Sequence, residues 1–188
     1  GVQTCALPIY YVRRLAPDLI PESEQEFHRR VRLHTIGDDP DNDPVIFGSG
    51  MTMTNYYGVE VSRDGHWLQV SAAEGTEPRN DLWVADLTSS PRQMPAFQLV
   101  QADVWAQTSL TFGRDGRVYV STDLDAPRGR LAVTEPGRWK SESWIDVIPE
   151  DESAVLESVA LLDGPELDED LLLVVRTSHG VEIGRAHV

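Results

Sequence analysis

Apolar and polar residues alternate along most of the chain. Val59-Glu60-Val61 runs into Ser62-Arg63-Asp64-Gly65 and then His66-Trp67-Leu68-Gln69-Val70. Successive side chains of a strand point to opposite faces, so this alternation predicts half-buried strands. Asp-Gly between two such runs predicts a hairpin. The unit recurs over Leu110-Thr111-Phe112-Gly113-Arg114-Asp115-Gly116-Arg117-Val118-Tyr119-Val120-Ser121, where Gly116 lies 51 residues after Gly65. A weaker copy, Val159-Ala160-Leu161-Leu162-Asp163-Gly164, places Gly164 48 residues further on, ahead of the run Leu171–Val175. A repeat of this length with several strands per unit predicts the blades of a β-propeller.

Each unit can be filled in. The first full blade has strands at Gly58–Ser62, Trp67–Ala72, Asp81–Leu87 and Phe97–Val100, with turns at Pro78-Arg79-Asn80 and Ser89-Ser90-Pro91. Turns form there because proline and small polar residues fit or cap tight backbone bends. The second blade has Ser109–Gly113, Arg117–Thr122, Arg130–Thr134 and Trp144–Ile148. A third begins near Leu156 and is cut off after a strand at Leu171–Arg176. Upstream, Tyr10–Leu15, Val31–Ile36 and Val45–Gly48 are the last strands of a preceding blade. Pro21–Phe27 lacks an apolar stripe and reads as a loop or short turn. The expected fold is therefore all-β: a partial propeller of two full and two partial blades of antiparallel strands.

The two ends change what this segment represents. Gly1–Ile9 and Ile183–Val188 can be back-translated into DNA such that one is the reverse complement of most of the other. That DNA resembles a sequencing-library adapter, so residues 1–9 and 183–188 are expected to be non-native and 10–182 to be the propeller segment proper. Cys5, the single cysteine, falls in the first of these stretches. Residues 10–182 then contain no disulfide and no thiolate metal site. The longest apolar run, Leu171-Leu172-Leu173-Val174-Val175, is strand-sized and far short of a membrane helix.

Composition adds a charge argument. Asp and Glu number 31 against 16 Lys and Arg, for a formal charge of -15. Such a surface repels phosphate backbones and anionic bilayers, which argues against nucleic-acid and membrane partners. A hydrophobic content of 40% argues for a packed core rather than disorder.

Several stretches resemble the N-terminal propeller of the prolyl oligopeptidases, serine peptidases of the α/β-hydrolase type. They are Val59–Leu68, the run Glu74-Gly75-Thr76-Glu77-Pro78-Arg79-Asn80-Asp81-Leu82-Trp83-Val84-Ala85-Asp86-Leu87, and Arg30–Gly37 with the acidic loop leading to Asp43-Pro44-Val45-Ile46-Phe47. Ile36 stands where the family often has leucine. The resemblance implies a two-domain cytoplasmic enzyme. Its propeller covers the mouth of an α/β-hydrolase domain, which carries a Ser, Asp and His triad and cleaves short peptides after proline. The expected partners are that catalytic domain and short peptides. No Gly-x-Ser-x-Gly elbow occurs in this sequence, and Gly48-Ser49-Gly50 is only a small-residue turn. No catalytic residue and no cofactor are therefore expected here, and the segment alone is expected to be inactive. Alternatives are a non-enzymatic propeller that binds proteins or peptides, and a related oligopeptidase of other specificity.

Other residues carry side chains that could support chemistry. Asp38-Asp39-Pro40-Asp41-Asn42-Asp43 carries oxygen ligands suited to calcium. It lacks the sixth-position glycine of an EF-hand and has Gly50 in place of the closing glutamate, so it reads as a hairpin loop without metal. His28, His34, His66 and His179 are scattered, without metal-ligand spacing. Trp67 and Trp83 fall in strands of one blade and are expected in the core, while Trp105 and Trp139 are open. Arg63 and Arg114 occupy equivalent, exposed turn positions. By the resemblance, the loop Ser121–Arg128 can face an internal cavity, which makes Thr122 and Asp123 the candidate substrate contacts. Leu124 stands where some members carry an arginine.

A propeller cut in this way leaves inter-blade faces open to water. The chain alone is predicted to associate in light scattering and to melt broadly. A sharp, cooperative melt of a soluble monomer contradicts this.

Overall fold

The computed structural model of the chain describes residues 8–162, 164, 166–167 and 171–187. Asp163 of the third repeat, most of the first end segment including Cys5, and Val188 lie outside them. The chain divides into two compact units after Ala102. All the regular structure is antiparallel sheet, joined by turns of which four are single 3-10 turns among the described residues.

In the first unit, β1 (Pro8–Arg14), β2 (Arg29–Thr35) and β3 (Val45–Phe47) form one sheet in that order. The second sheet is β4 (Asn55–Val61), β5 (Trp67–Glu74), β6 (Asp81–Asp86) and β7 (Phe97–Gln101), again in chain order. Pairing places Tyr10 opposite Leu33, Val12 opposite Val31, and Val70 opposite both Val59 and Trp83, so each sheet gathers its apolar residues on one face. The two faces pack together around buried Val31, Leu68, Val70 and Leu87. Phe47 is the centre of this contact. Its ring lies 4.8 Å from Phe97, 4.9 Å from Trp83 and 5.8 Å from Tyr57, in edge-on or tilted geometries that suit the aromatic quadrupole.

The second unit repeats the scheme. β8 (Thr108–Phe112), β9 (Val118–Thr122), β10 (Arg130–Thr134) and β11 (Ile145–Ile148) form a four-stranded meander. β12 (Val155–Leu162), β13 (Leu171–Ser178) and β14 (Val181–His187) form the last sheet. Tyr119, Leu131, Ile148 and Val174 are buried between these two sheets, with Leu156, Val159, Leu161 and Leu172 packed against them. The opposite face of β12 and β13 carries Ala160, Leu162, Leu171 and Leu173, paired across the ladder. Leu162 and Leu173 are 42% and 37% exposed, an apolar surface of the kind expected where a further blade packs.

All twelve strands predicted with bounds start within three residues of an observed one. The largest offset is at Gly58–Ser62, because pairing of Asn55 with Glu74 carries β4 back beyond Gly58. Pro21–Phe27 holds a 3-10 turn at Glu22–Glu24, as a stripe-less stretch should. One strand was not foreseen: the last sheet continues past Leu171–Arg176 into β14, which pairs along β13 from Ser178 to Leu172. Ladder pairing uses backbone groups, so a segment beyond the last repeat copy can complete it.

The two Asp-Gly hairpins form with longer loops than the dipeptide alone suggests. Ser62 N–H donates to the Trp67 carbonyl at 2.8 Å, and Gly113 N–H to the Arg117 carbonyl at 2.9 Å. Gly65 and Gly116 sit at φ +75° and +79°, the left-handed conformation that glycine adopts without steric cost. In each loop the aspartate caps the turn: Asp64 Oδ1 accepts from His66 N–H and Asp115 Oδ1 from Arg117 N–H.

The tryptophans depart from expectation. Trp139 and Trp144 are buried, at 5% and 8% exposure, whereas Trp67 and Trp83 are only half-buried. Strand alternation places Trp83 beside Phe47 at the sheet–sheet contact, while Trp139 is enclosed in the irregular segment between β10 and β11 near the Phe112 ring. Trp105 is 72% exposed.

Replacing Phe47 by alanine removes the aromatic centre of the first unit. Urea unfolding should show a loss of about 2–4 kcal/mol. Met94→Ala, at a position 77% exposed, should change stability by less than about 0.5 kcal/mol.

Candidate functional site

The loop that follows β9 is built by hydroxyls and one carboxylate. Thr122 pairs with Thr108 across the ladder, and their hydroxyls hydrogen-bond at 2.7 Å in a site where both residues are almost fully buried. Thr122 Oγ1 also accepts from Leu124 N–H at 3.1 Å. Asp123 then clamps the preceding segment: its Oδ1 accepts from Gln107 N–H at 2.6 Å while its own N–H donates to the Gln107 carbonyl at 3.3 Å. Asp123 Oδ2 makes no hydrogen bond among the described residues.

The far side of the loop is held as firmly. Arg130 donates to the Leu124 carbonyl at 3.3 Å and pairs with Asp146 at 2.5 Å. Gly129, at φ +80°, brings the backbone so close to β12 that a Cβ would sit 3.0 Å from that of Leu156. Leu156 N–H donates to the Arg128 carbonyl at 2.7 Å. The loop thus presents a fixed surface, with Asp125 exposed at φ +55°. Thr122 has its hydroxyl engaged inside the fold, and Asp123 keeps one carboxylate oxygen available.

The acidic loop between β2 and β3 consumes its own carboxylates. Asp39 accepts from Asp41 N–H at 3.0 Å and so caps the 3-10 turn Pro40–Asn42. Arg13 pairs with Asp41 at 2.7 Å. Asp43 is buried and accepts from the Tyr11 hydroxyl at 2.8 Å. His34 Nδ1 lies 3.0 Å from the same carboxylate, and Arg32 donates to the Asp43 carbonyl at 2.7 Å. Burial raises the Asp43 carboxyl, but the Tyr11 and His34 hydrogen bonds and the His34 and Arg32 charges outweigh it and hold it below the ordinary value. Sequence reading missed this cluster, although alternation in β1 and β2 already puts Tyr11, Arg32 and His34 on one sheet face.

The remaining candidates stay apart. His28 meets Glu24 at 2.6 Å, His66 meets Asp64 at 3.2 Å, and His179 meets the Ser178 hydroxyl at 3.0 Å. Arg63 and Arg114 are exposed at their two turns. No group of three or more metal-ligating side chains forms among the described residues. No helix of the described residues is long and apolar enough to cross a membrane.

Repeated antiparallel meanders packed face to face, with capped Asp-Gly hairpins and a rigid polar loop, define a segment of β-propeller. Residues 5–165 match the family model described as the prolyl oligopeptidase N-terminal β-propeller domain, and the chain belongs to that family. It is 33% identical over 122 residues to a prolyl endopeptidase of Elizabethkingia meningoseptica, covering 64% of this chain and 16% of that protein. It is 25% identical over 127 residues to a dual function macrocyclase-peptidase of Galerina marginata, covering 67% of this chain and 17% of the relative. The chain thus spans about a sixth of the length of these relatives. Among solved structures, Galerina marginata prolyl oligopeptidase B bound to a 25mer macrocyclization substrate superposes with a TM-score of 0.81 at 20% identity, over 96% of this chain and 24% of that one. The propeller fold and the family agree with the sequence reading.

The Asp43 cluster makes a pH prediction. A carboxyl whose folded pKa is depressed stabilises the fold above its unfolded pKa, about 3.9, and loses that contribution as pH falls through the folded value. Thermal melts from pH 6 to pH 2.5 should therefore show a steeper acid decline for the unaltered chain than for Asp43→Asn. Parallel curves contradict the assignment.

Proposed function

We propose that this chain is the substrate-gating part of a prolyl-oligopeptidase-like serine peptidase that cleaves short peptides after proline. The α/β-hydrolase domain of the same parent chain supplies the chemistry. The family match over residues 5–165 carries this reading, and the relatives named prolyl endopeptidase support the specificity. In such an enzyme an activated serine attacks the scissile carbonyl, forms an acyl-enzyme and is released by water. The propeller acts by exclusion: rigid sheets set the size of what reaches the serine. Asp123 contacts the peptide through its available oxygen, and Thr122 positions it from within the fold. The acidic surface fits a cytoplasmic enzyme that meets neither nucleic acid nor membrane.

The complete gene around this segment, expressed and purified, provides the test. The protein should cleave a short chromogenic peptide after proline and not after alanine, and should spare long unfolded polypeptides. Asp123→Ala should raise KM about 3- to 10-fold with kcat nearly unchanged, since it removes a binding contact remote from the chemistry. Absence of any cleavage after proline overturns the reading and leaves a binding propeller.

A further inference from the structure

We propose that the cleft between the β8–β11 sheet and the β12–β14 sheet binds a cationic group of a peptide, an ammonium or guanidinium, with Glu157 as its counter-ion. The proposal rests on the reading that peptides meet this chain.

The cleft has a volume of about 210 Å³ and is lined by Ser109, Thr111, Ser121, Glu157 and Ser158 over a wall of leucines. Its residues come from facing strands. Ser109 pairs with Ser121 and Thr111 with Tyr119, so β8 and β9 present these hydroxyls on the face that further along buries Tyr119 and Leu131. A run of hydroxyls thus replaces apolar side chains at one end of an otherwise apolar contact.

Glu157 reaches this cleft because β12 is irregular at that point. Leu156 pairs with Arg176 and Ser158 with Val175, which leaves Glu157 as the extra residue of a β-bulge. A bulge bends its strand and re-aims the side chain it carries. In regular pairing, strict alternation from Leu156 would turn Glu157 away from the face that holds the core.

The polar groups of the cleft are not used up by the fold. Glu157, Ser109, Thr111, Ser121 and Ser158 make no side-chain hydrogen bond or ion pair among the described residues. Nearby cations are already neutralised: Arg176 pairs with Asp151 at 2.6 Å, Arg130 with Asp146 and Arg117 with Asp115, both at 2.5 Å. What remains is one carboxylate surrounded by hydroxyl acceptors in a chain of formal charge -15. That set attracts a hydrogen-bonding cation and disfavours an anion. Leu131, Leu161 and Leu172 line the same cleft and fit the apolar stem of a lysine or arginine, which packs along apolar surface while its charged end finds polar partners. The volume is below the roughly 300 Å³ at which drug-sized ligand sites begin, so the cleft suits one side chain rather than a peptide segment.

The test titrates this chain, ¹⁵N-labelled, with N-acetyl-Ala-Lys-Ala-amide and with its norleucine and arginine counterparts. The lysine and arginine peptides should shift the amide signals of Ser109, Thr111, Ser121 and Glu157. The norleucine peptide should bind at least tenfold more weakly, and raising salt should narrow that gap. Glu157→Gln should reduce the lysine peptide to the norleucine level, whereas Glu152→Gln, also exposed but off the cleft, should change nothing. Circular dichroism of both variants confirms the fold, and anisotropy of a labelled lysine peptide at micromolar protein gives the same comparison if the chain associates at NMR concentrations. Equal binding of the lysine and norleucine peptides, no binding of either, or binding unchanged by Glu157→Gln overturns the proposal. Shifts confined to the Thr122–Arg128 loop overturn the cleft while leaving the gating role intact. Failure of the parent protein to cleave after proline, with the cleft titration as expected, removes the gating role and leaves the cleft.

Discussion

Packing of one sheet face upon the next is the interaction on which everything else here depends. A four-stranded meander satisfies its inner backbone groups by itself but cannot cover its own faces, and apolar burial contributes about 25 cal/mol per Å² only when a second surface arrives. In the first unit that surface is supplied around Phe47, Val31, Leu68 and Val70; in the second, around Tyr119, Leu131 and Val174. Hydrogen bonding sets the register of each sheet, and the faces hold the sheets in place. The loops can then be specialised, because the strands beneath them are fixed by something other than the loops.

The loop after β9 illustrates this division. Thr122 lies at the end of a strand whose core residues, Val118 and Val120, are fully buried. Its hydroxyl bridge to Thr108 and the Asp123 clamp on Gln107 merely lock what the sheet has already positioned. On the proposed reading, a surface of this kind admits or refuses a peptide without changing shape.

Alternation and turn chemistry made the strands legible. Asp64-Gly65 and Asp115-Gly116 mark hairpins because both glycines take a left-handed conformation that few other residues tolerate. Period-two patterning located β5, β6, β9 and β10 to within a residue or two. Three features were not legible, each for a physical reason. Strand β14 lies beyond the last copy of the repeat, so the repeat pattern does not mark it. The burial of Trp139 depends on an irregular segment with no period to read. The bulge at Glu157 is a register shift between β12 and β13, visible only when both strands are aligned. Of the candidate site, Thr122 and Asp123 came from family resemblance rather than from pattern, and the Tyr11–Asp43–His34 cluster depends on the register of β1 against β2, which alternation within each strand does not fix.

Hydrogen–deuterium exchange on this chain, read by mass spectrometry, tests the central claim directly. If face packing holds the sheets, the amides of β5 and β6 in the first unit and of β9 and β10 in the second should exchange last. The edge strands β4, β7, β8 and β11, equally regular in conformation but bordered on one side only, should exchange sooner. Exchange of the central strands as fast as that of the Pro17–Phe27 connection would contradict the account.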